Sequence, residues 1–333
     1  MTLWPKVRRN CPQTSILRTL LIFPALLSFS LGAFGQNMTD RHMNHMSPAS
    51  DTVESQDWAK QRLAKSPRHQ EWVKVKSGNR EINSFIVYPE VKNKATAVVV
   101  IHEIFGMTDW VQSLTDQLAE AGYIAIAPDL LSGMGPKGGG TSELATLNSN
   151  AVGQAIRDLP PDQITADLNA VSDYVSKLPA ANGKVVVTGY CWGGSQSFRF
   201  ATNRPTLKAA FVFYGSAPAI GQAIDKEALA RIQAPVYGFY AGNDMRINAT
   251  LPSTVDAMKE LKKSFDPVTY EGAGHGFMRA GEAPEPTPAT EKGEKEGDDK
   301  AVSDYQKALM AYKGNKKARD EAWARWKSIL TKL

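Results

Sequence analysis

Three short, largely apolar runs constrain this chain more than any other feature: residues 96–101 (TAVVVI), 124–127 (IAIA) and 184–188 (KVVVT). Runs of this length and β-branched content are strands buried on both faces, and such strands belong to parallel sheets covered by helices. The segments between them carry helical periodicity. Trp110, Leu114 and Leu118 recur every fourth residue, and Ile164, Leu168, Val171 and Val175 mark a helix that starts after Pro160-Pro161. Further strands are predicted at 72–75, 82–88, 209–213, 236–240 and 268–271, with helices over 193–202 and 252–263. The alternation predicts an α/β three-layer sandwich with a mostly parallel central sheet and helices on both faces. It reads as a single domain over 67–333, and 42% hydrophobic residues suffice for its core.

The ends differ in character. Residues 1–35 read as a signal peptide: Lys6, Arg8 and Arg9 precede an apolar stretch, and Ala33-Phe34-Gly35 supplies small residues before Gln36. This predicts an exported protein, periplasmic or secreted, with no stable membrane insertion after cleavage. Residues 36–66 read as a flexible tail. Met38, His42, Met43, His45 and Met46 are soft ligands, but nothing there fixes a geometry, so no metal site is assigned. Residues 281–300 are dominated by Pro and charge and read as a disordered insertion. Val302, Tyr305, Leu309 and Tyr312, then Ala322, Trp326 and Ile329, predict a pair of amphipathic helices, interrupted near Gly314-Asn315, covering the sheet.

The formal net charge of +5 does not point to nucleic acid. Four of the 39 basic residues lie in the first 35 positions, which hold no acid, and the remaining 35 face 34 acids. The sequence shows no dinucleotide fingerprint and no metal-binding spacing, so no cofactor is expected.

Gly189-Tyr190-Cys191-Trp192-Gly193-Gly194 follows an apolar strand and precedes a helix. A nucleophile on so tight a turn needs small residues two before and two after it, so Cys191 is the candidate nucleophile. It is the one cysteine beyond the signal, where a thiol is either inert or used. A nucleophile needs a base, and the base an orienting acid. Asp244 stands directly after the strand at 236–240 and His275 directly after that at 268–271, in the chain order that an α/β-hydrolase uses. His102-Glu103-Ile104-Phe105-Gly106 follows TAVVVI, where the loop supplies one oxyanion amide, here Ile104; Trp192, after the nucleophile, supplies the other.

HEIFG, GYCWGG, the Asp after a strand and GAGHGFMR together resemble the dienelactone hydrolase (carboxymethylenebutenolidase) family over about residues 70–280 plus the terminal helix. The resemblance implies an α/β-hydrolase with a Cys191–His275–Asp244 triad. It implies that Glu103 controls thiol ionisation and that Arg279 pairs with it and binds a substrate carboxylate, beside Phe105. A dienelactone hydrolase carries a second carboxylate-binding arginine shortly after its PDL segment. Here Pro128-Asp129-Leu130 runs into Leu131-Ser132-Gly133 and a glycine-rich loop, with Lys137 the nearest cation. The expected reaction is cleavage of a lactone or other activated, carboxylated ester through an acyl-enzyme. The alternatives are a broad carboxylesterase or thioesterase, and a non-catalytic binding or redox-sensing protein that uses its thiol.

Overall fold

The computed structural model describes residues 56–288 and 299–333. In chain order the first elements are α1 (Asp57–Ala64), β1 (Gln70–Ser77), β2 (Arg80–Val87), β3 (Ala95–Ile101), α2 (Asp109–Glu120) and β4 (Ile124–Pro128). There follow α3 (Thr141–Ala145), α4 (Ala151–Arg157), α5 (Pro161–Ser176), β5 (Ala181–Tyr190), α6 (Trp192–Asn203) and β6 (Ala210–Phe213). A small ribbon of β7 (Ala219–Ile220) and β8 (Ala223–Ile224) leads to α7 (Lys226–Ala230), β9 (Val236–Ala241), α8 (Met245–Asn248) and α9 (Leu251–Glu260). The chain ends with β10 (Phe265–Tyr270), α10 (Phe277–Ala280) and α11 (Asp299–Leu330).

Eight strands form one sheet in the order β1-β2-β4-β3-β5-β6-β9-β10. The β1–β2 and β2–β4 pairs are antiparallel and the rest parallel. Strand alternation sends side chains to opposite faces. In β3, Ala97, Val99 and Ile101 enter one core, with Leu168 and Val171 of α5 and Phe198 of α6. Val98 and Val100 enter the other, with Trp110 and Leu114 of α2 and Trp326 of α11. Two cores, one on each face, make the three layers that the apolar runs predict.

Trp326 is fully buried and meets the Phe211 and Phe213 rings edge-on at 5.7 and 5.6 Å. Removing such a ring leaves a cavity the sheet does not collapse into. Trp326→Ala is therefore expected to destabilise the fold by about 3–5 kcal/mol, read as a lower urea midpoint at unchanged slope.

Three expectations need correction. The C-terminal helices are not a pair: α11 runs unbroken through Gly314 and Asn315. Its buried stripe is Asn315, Ala318, Ala322, Trp326 and Leu330, whereas Val302 is exposed and Tyr305, Leu309 and Tyr312 are only half-buried. The expected tail already folds at 57–64. Ala59 of α1 is buried against α2, and Gln56 Oε1 accepts from the Trp110 amide at 2.7 Å. The start of the expected insertion is packed as well. The Glu282 side chain is buried and accepts from Trp110 Nε1 at 3.1 Å, from Gln117 at 3.2 Å and from Arg319. The signal peptide, the Met/His tail segment and residues 289–298 lie outside the described residues. Among the described residues no helix is long and apolar enough to cross a membrane.

Candidate active site

Ile101 of β3 pairs with Gly189 of β5, so the loops after these adjacent parallel strands meet at one edge of the sheet. Cys191 occupies the turn between β5 and α6 with φ +55° and ψ −117°, a conformation that costs a non-glycine residue energy. The surrounding glycines explain how the turn closes. A Cβ on Gly189 would strike the Gly193 carbonyl, and one on Gly193 would strike the carbonyls of Ile101 and His102. The Cys191 amide donates to the Phe213 carbonyl at 3.1 Å, and the residue stays half-buried at the α6 N-terminus. That helix end favours negative charge on the sulfur.

The acid and base loops follow β9 and β10, which are neighbours in the sheet. Asp244 uses its two oxygens differently. Oδ1 accepts from the Ile247 amide at 3.3 Å and caps α8, while Oδ2 meets His275 Nδ1 at 2.5 Å. The two loops also bond directly, the Asn243 amide donating to the Ala273 carbonyl at 2.9 Å. Burial opposes the charged forms of both partners. The hydrogen bond to His275 and its charge nevertheless hold Asp244 below the usual carboxylate range. For His275, burial pulls the value down, but bonding and charge from Asp244 and Cys191 outweigh it and lift the imidazole to about 10. The other ring nitrogen, Nε2, is buried. Cys191 is close enough for its charge, once the thiol has ionised, to act on the ring. Cys191, Asp244 and His275 thus come together from three loops.

The HEIFG loop lies beside them. His102 is fully buried, and burial lowers its pKa, so the ring is neutral. Its Nδ1 donates to the Glu103 carbonyl at 2.8 Å, and the Gly106 amide donates to the same oxygen at 3.1 Å. In a trans peptide the N–H points opposite to the C=O. Fixing the Glu103 carbonyl therefore fixes the direction of the Ile104 N–H. The His102 ring also stacks on Trp192, centroids 5.5 Å apart and 14° from parallel. Trp192 opens α6, where an amide has no helical acceptor. One buried imidazole thereby fixes the Ile104 amide and packs against the Trp192 side chain.

Glu103 is 2% exposed, and its carboxylate accepts from Arg279 Nε at 2.8 Å, with the Tyr214 hydroxyl at 3.5 Å. Burial opposes the Arg279 charge, yet Glu103 raises its pKa overall. The guanidinium lies 5.3 Å from the Phe105 ring centroid. Lys137 is exposed, in a turn closed by Glu143, which accepts from the Lys137 and Gly139 amides at 2.7 Å each.

Sequence reasoning missed four contributors. Tyr214, at φ +40°, sets its ring 5.0 Å from that of His275 and its hydroxyl near Glu103. His102 was noticed only as part of a motif. Asp129 accepts from the Thr141 amide at 2.8 Å and hydroxyl at 2.7 Å, and Thr141 Oγ1 accepts from the Met107 amide at 3.1 Å. This pair ties the glycine-rich loop to the HEIFG loop. The Pro-Asp-Leu spelling was the available signal for Asp129; Tyr214 had none. Among the described residues no three His, Cys, Asp or Glu side chains are grouped to hold a metal ion.

Comparison with known proteins agrees with the fold. The model of the Dienelactone hydrolase family matches residues 82–333. A protein of Saccharolobus solfataricus named "Putative carboxymethylenebutenolidase" is 29% identical over 294 residues, 77% of this chain and 96% of that one. A protein of the same name from Yersinia pestis is 29% identical over 211 residues, 61% of this chain and 76% of its own length. Among solved structures, a dienelactone hydrolase-like promiscuous phosphotriesterase from metagenomic libraries superposes with a TM-score of 0.58 at 19% identity. It covers 80% of this chain and 98% of that one, a likeness of fold.

Proposed function

The chain belongs to the dienelactone hydrolase family, and from that premise we propose that it cleaves a lactone or other activated, carboxylated ester through a Cys191–His275–Asp244 triad. Membership makes it a hydrolase of ester or lactone bonds with a small-molecule substrate. The observation that carries the finer reading is the short Asp244–His275 contact beside a cysteine held in a strained turn.

The reaction follows from the residues. The Cys191 thiolate attacks the carbonyl carbon, and the Ile104 and Trp192 amides hold the resulting oxyanion. As the C–O bond breaks, the His275 imidazolium gives its proton to the departing enolate or alkoxide. A water then loses a proton to Nε2 and attacks the thioester, and the thiolate leaves. Because a thiolate is itself a good leaving group, activated esters suit this site and amides do not.

A substrate carboxylate binding Arg279 would compete with Glu103 and free that side chain to act on the thiol. A thiol kept unreactive until substrate arrives resists oxidation. The proposal includes export through residues 1–35, and outside the cytoplasm this protection matters more.

The wild type is expected to favour a carboxylated aryl ester or lactone over its neutral isostere by about tenfold or more in kcat/KM. A saturating carboxylate analogue is expected to accelerate alkylation of Cys191. Equal rates in both measurements would instead support the broad carboxylesterase or thioesterase.

A further inference from the structure

Gly314 and Asn315 lie in the middle of a 32-residue helix, where both are poor helix formers. Their surroundings explain their presence. A Cβ on Gly314 would strike the Gly272 carbonyl, so only glycine lets α11 come this close to the loop that carries His275. Asn315, nine-tenths buried, then reaches across and its Oδ1 accepts from the Gly274 amide at 2.8 Å. On the far side of α10 the fit is equally close: a Cβ on Gly281 would stand 2.6 Å from the Asn315 carbonyl oxygen.

That amide belongs to the peptide joining Ala273 to Gly274, immediately before His275. The carbonyl of the same peptide accepts from Asn243, the residue before Asp244, at 2.9 Å. One peptide plane is thus pinned at both ends, by the acid loop on one side and by α11 on the other. The next residue carries the imidazole that meets Asp244 Oδ2 at 2.5 Å. Gly272 and Gly276, at φ +75° and +77°, flank the segment and give it no stiffness of their own. Without the α11 contact, the Ala273–Gly274 peptide would keep a bond on one side only.

We propose that Asn315 is a positioning residue for His275, holding the Ala273–Gly274 peptide so that the imidazole stays aligned between Asp244 and Cys191. This rests on His275 being the catalytic base, and the two ideas fail separately. A misalignment of about 1 Å costs on the order of 100-fold in rate, so Asn315→Ala is expected to lower kcat by about 10- to 100-fold while KM changes less than about threefold. Asn315→Asp keeps an acceptor oxygen in place and is expected to recover most of the lost kcat. NMR titration of the imidazole supplies a readout independent of turnover: its pKa is expected to fall in Asn315→Ala as contact with Asp244 loosens.

If Asn315→Ala does not fold, Asn315→Ser, whose smaller side chain leaves room for water, is measured in its place. Wild-type kcat and an unmoved imidazole in folded Asn315→Ala or Asn315→Ser would overturn the proposal. So would an Asn315→Asp variant as slow as Asn315→Ala. Turnover that survives His275→Ala would overturn the parent reading instead.

Discussion

Cys191→Ala is expected to lower kcat/KM for an activated ester by about 10⁴-fold or more, the scale on which removal of a covalent nucleophile acts. The oxyanion amides and Arg279 survive the change, so substrate should still bind and KM should move little. Cys191→Ser is expected to lose activity as well. A hydroxyl ionises far less readily than a thiol, so the serine is a much weaker nucleophile at the same turn. The decisive measurement is single-turnover hydrolysis by folded protein, with the acyl-enzyme followed by mass spectrometry. A Cys191→Ala variant that keeps a tenth of wild-type turnover would leave the thiol without a catalytic role and overturn the triad.

Asp244→Asn should be almost as damaging, with kcat falling by about 10³- to 10⁴-fold. The amide can occupy the same space but presents no charge, and it can hold His275 in the wrong tautomer. The effect should also appear in stability. The folded imidazole titrates near 10, against an ordinary value of 6.5, so its stabilising contribution is complete below pH 6.5. It is lost as pH rises towards 10, because the folded chain then holds a proton that the unfolded chain has released. Asp244, held below its ordinary 3.8, contributes in the opposite sense: fully above that value, and less as pH falls through its folded pKa. Asp244→Asn is expected to remove the acid-side slope and flatten the alkaline one. Urea midpoints at pH 3, 6 and 9.5 would show it, and parallel wild-type and variant profiles would contradict the pairing.

Much of this site could be read in the sequence because its chemistry depends on local turns. The glycines around Cys191 record how little space the elbow leaves, and Asp244 and His275 reveal themselves by following strands directly. Asp244 does two things at once, one oxygen capping a helix and the other meeting an imidazole. The sequence was silent where tertiary contact decides. Gly314-Asn315 has the local chemistry of a helix break, and only the approach of the His275 loop keeps the helix running through it. Residues 57–64 carry too weak a periodicity to announce a helix; it becomes visible only against α2. Tyr214 acts through a backbone angle that no spacing encodes. Asp129 and Thr141, twelve residues apart, meet only once the intervening loop has folded back.

The seating of the Gly193 backbone against the carbonyls of Ile101 and His102 has a practical consequence for altering what the protein accepts. The sulfur and the Ile104 amide are referenced to one another main chain to main chain, so libraries aimed there would damage the machinery before they changed selectivity. Residues 133–158, by contrast, are fastened through side chains such as Thr141 and Glu143, and in α4 Gly153 leaves ordinary clearance over the Ile104 side chain. Diversity introduced into that cover could reshape substrate scope while leaving the reacting atoms in register.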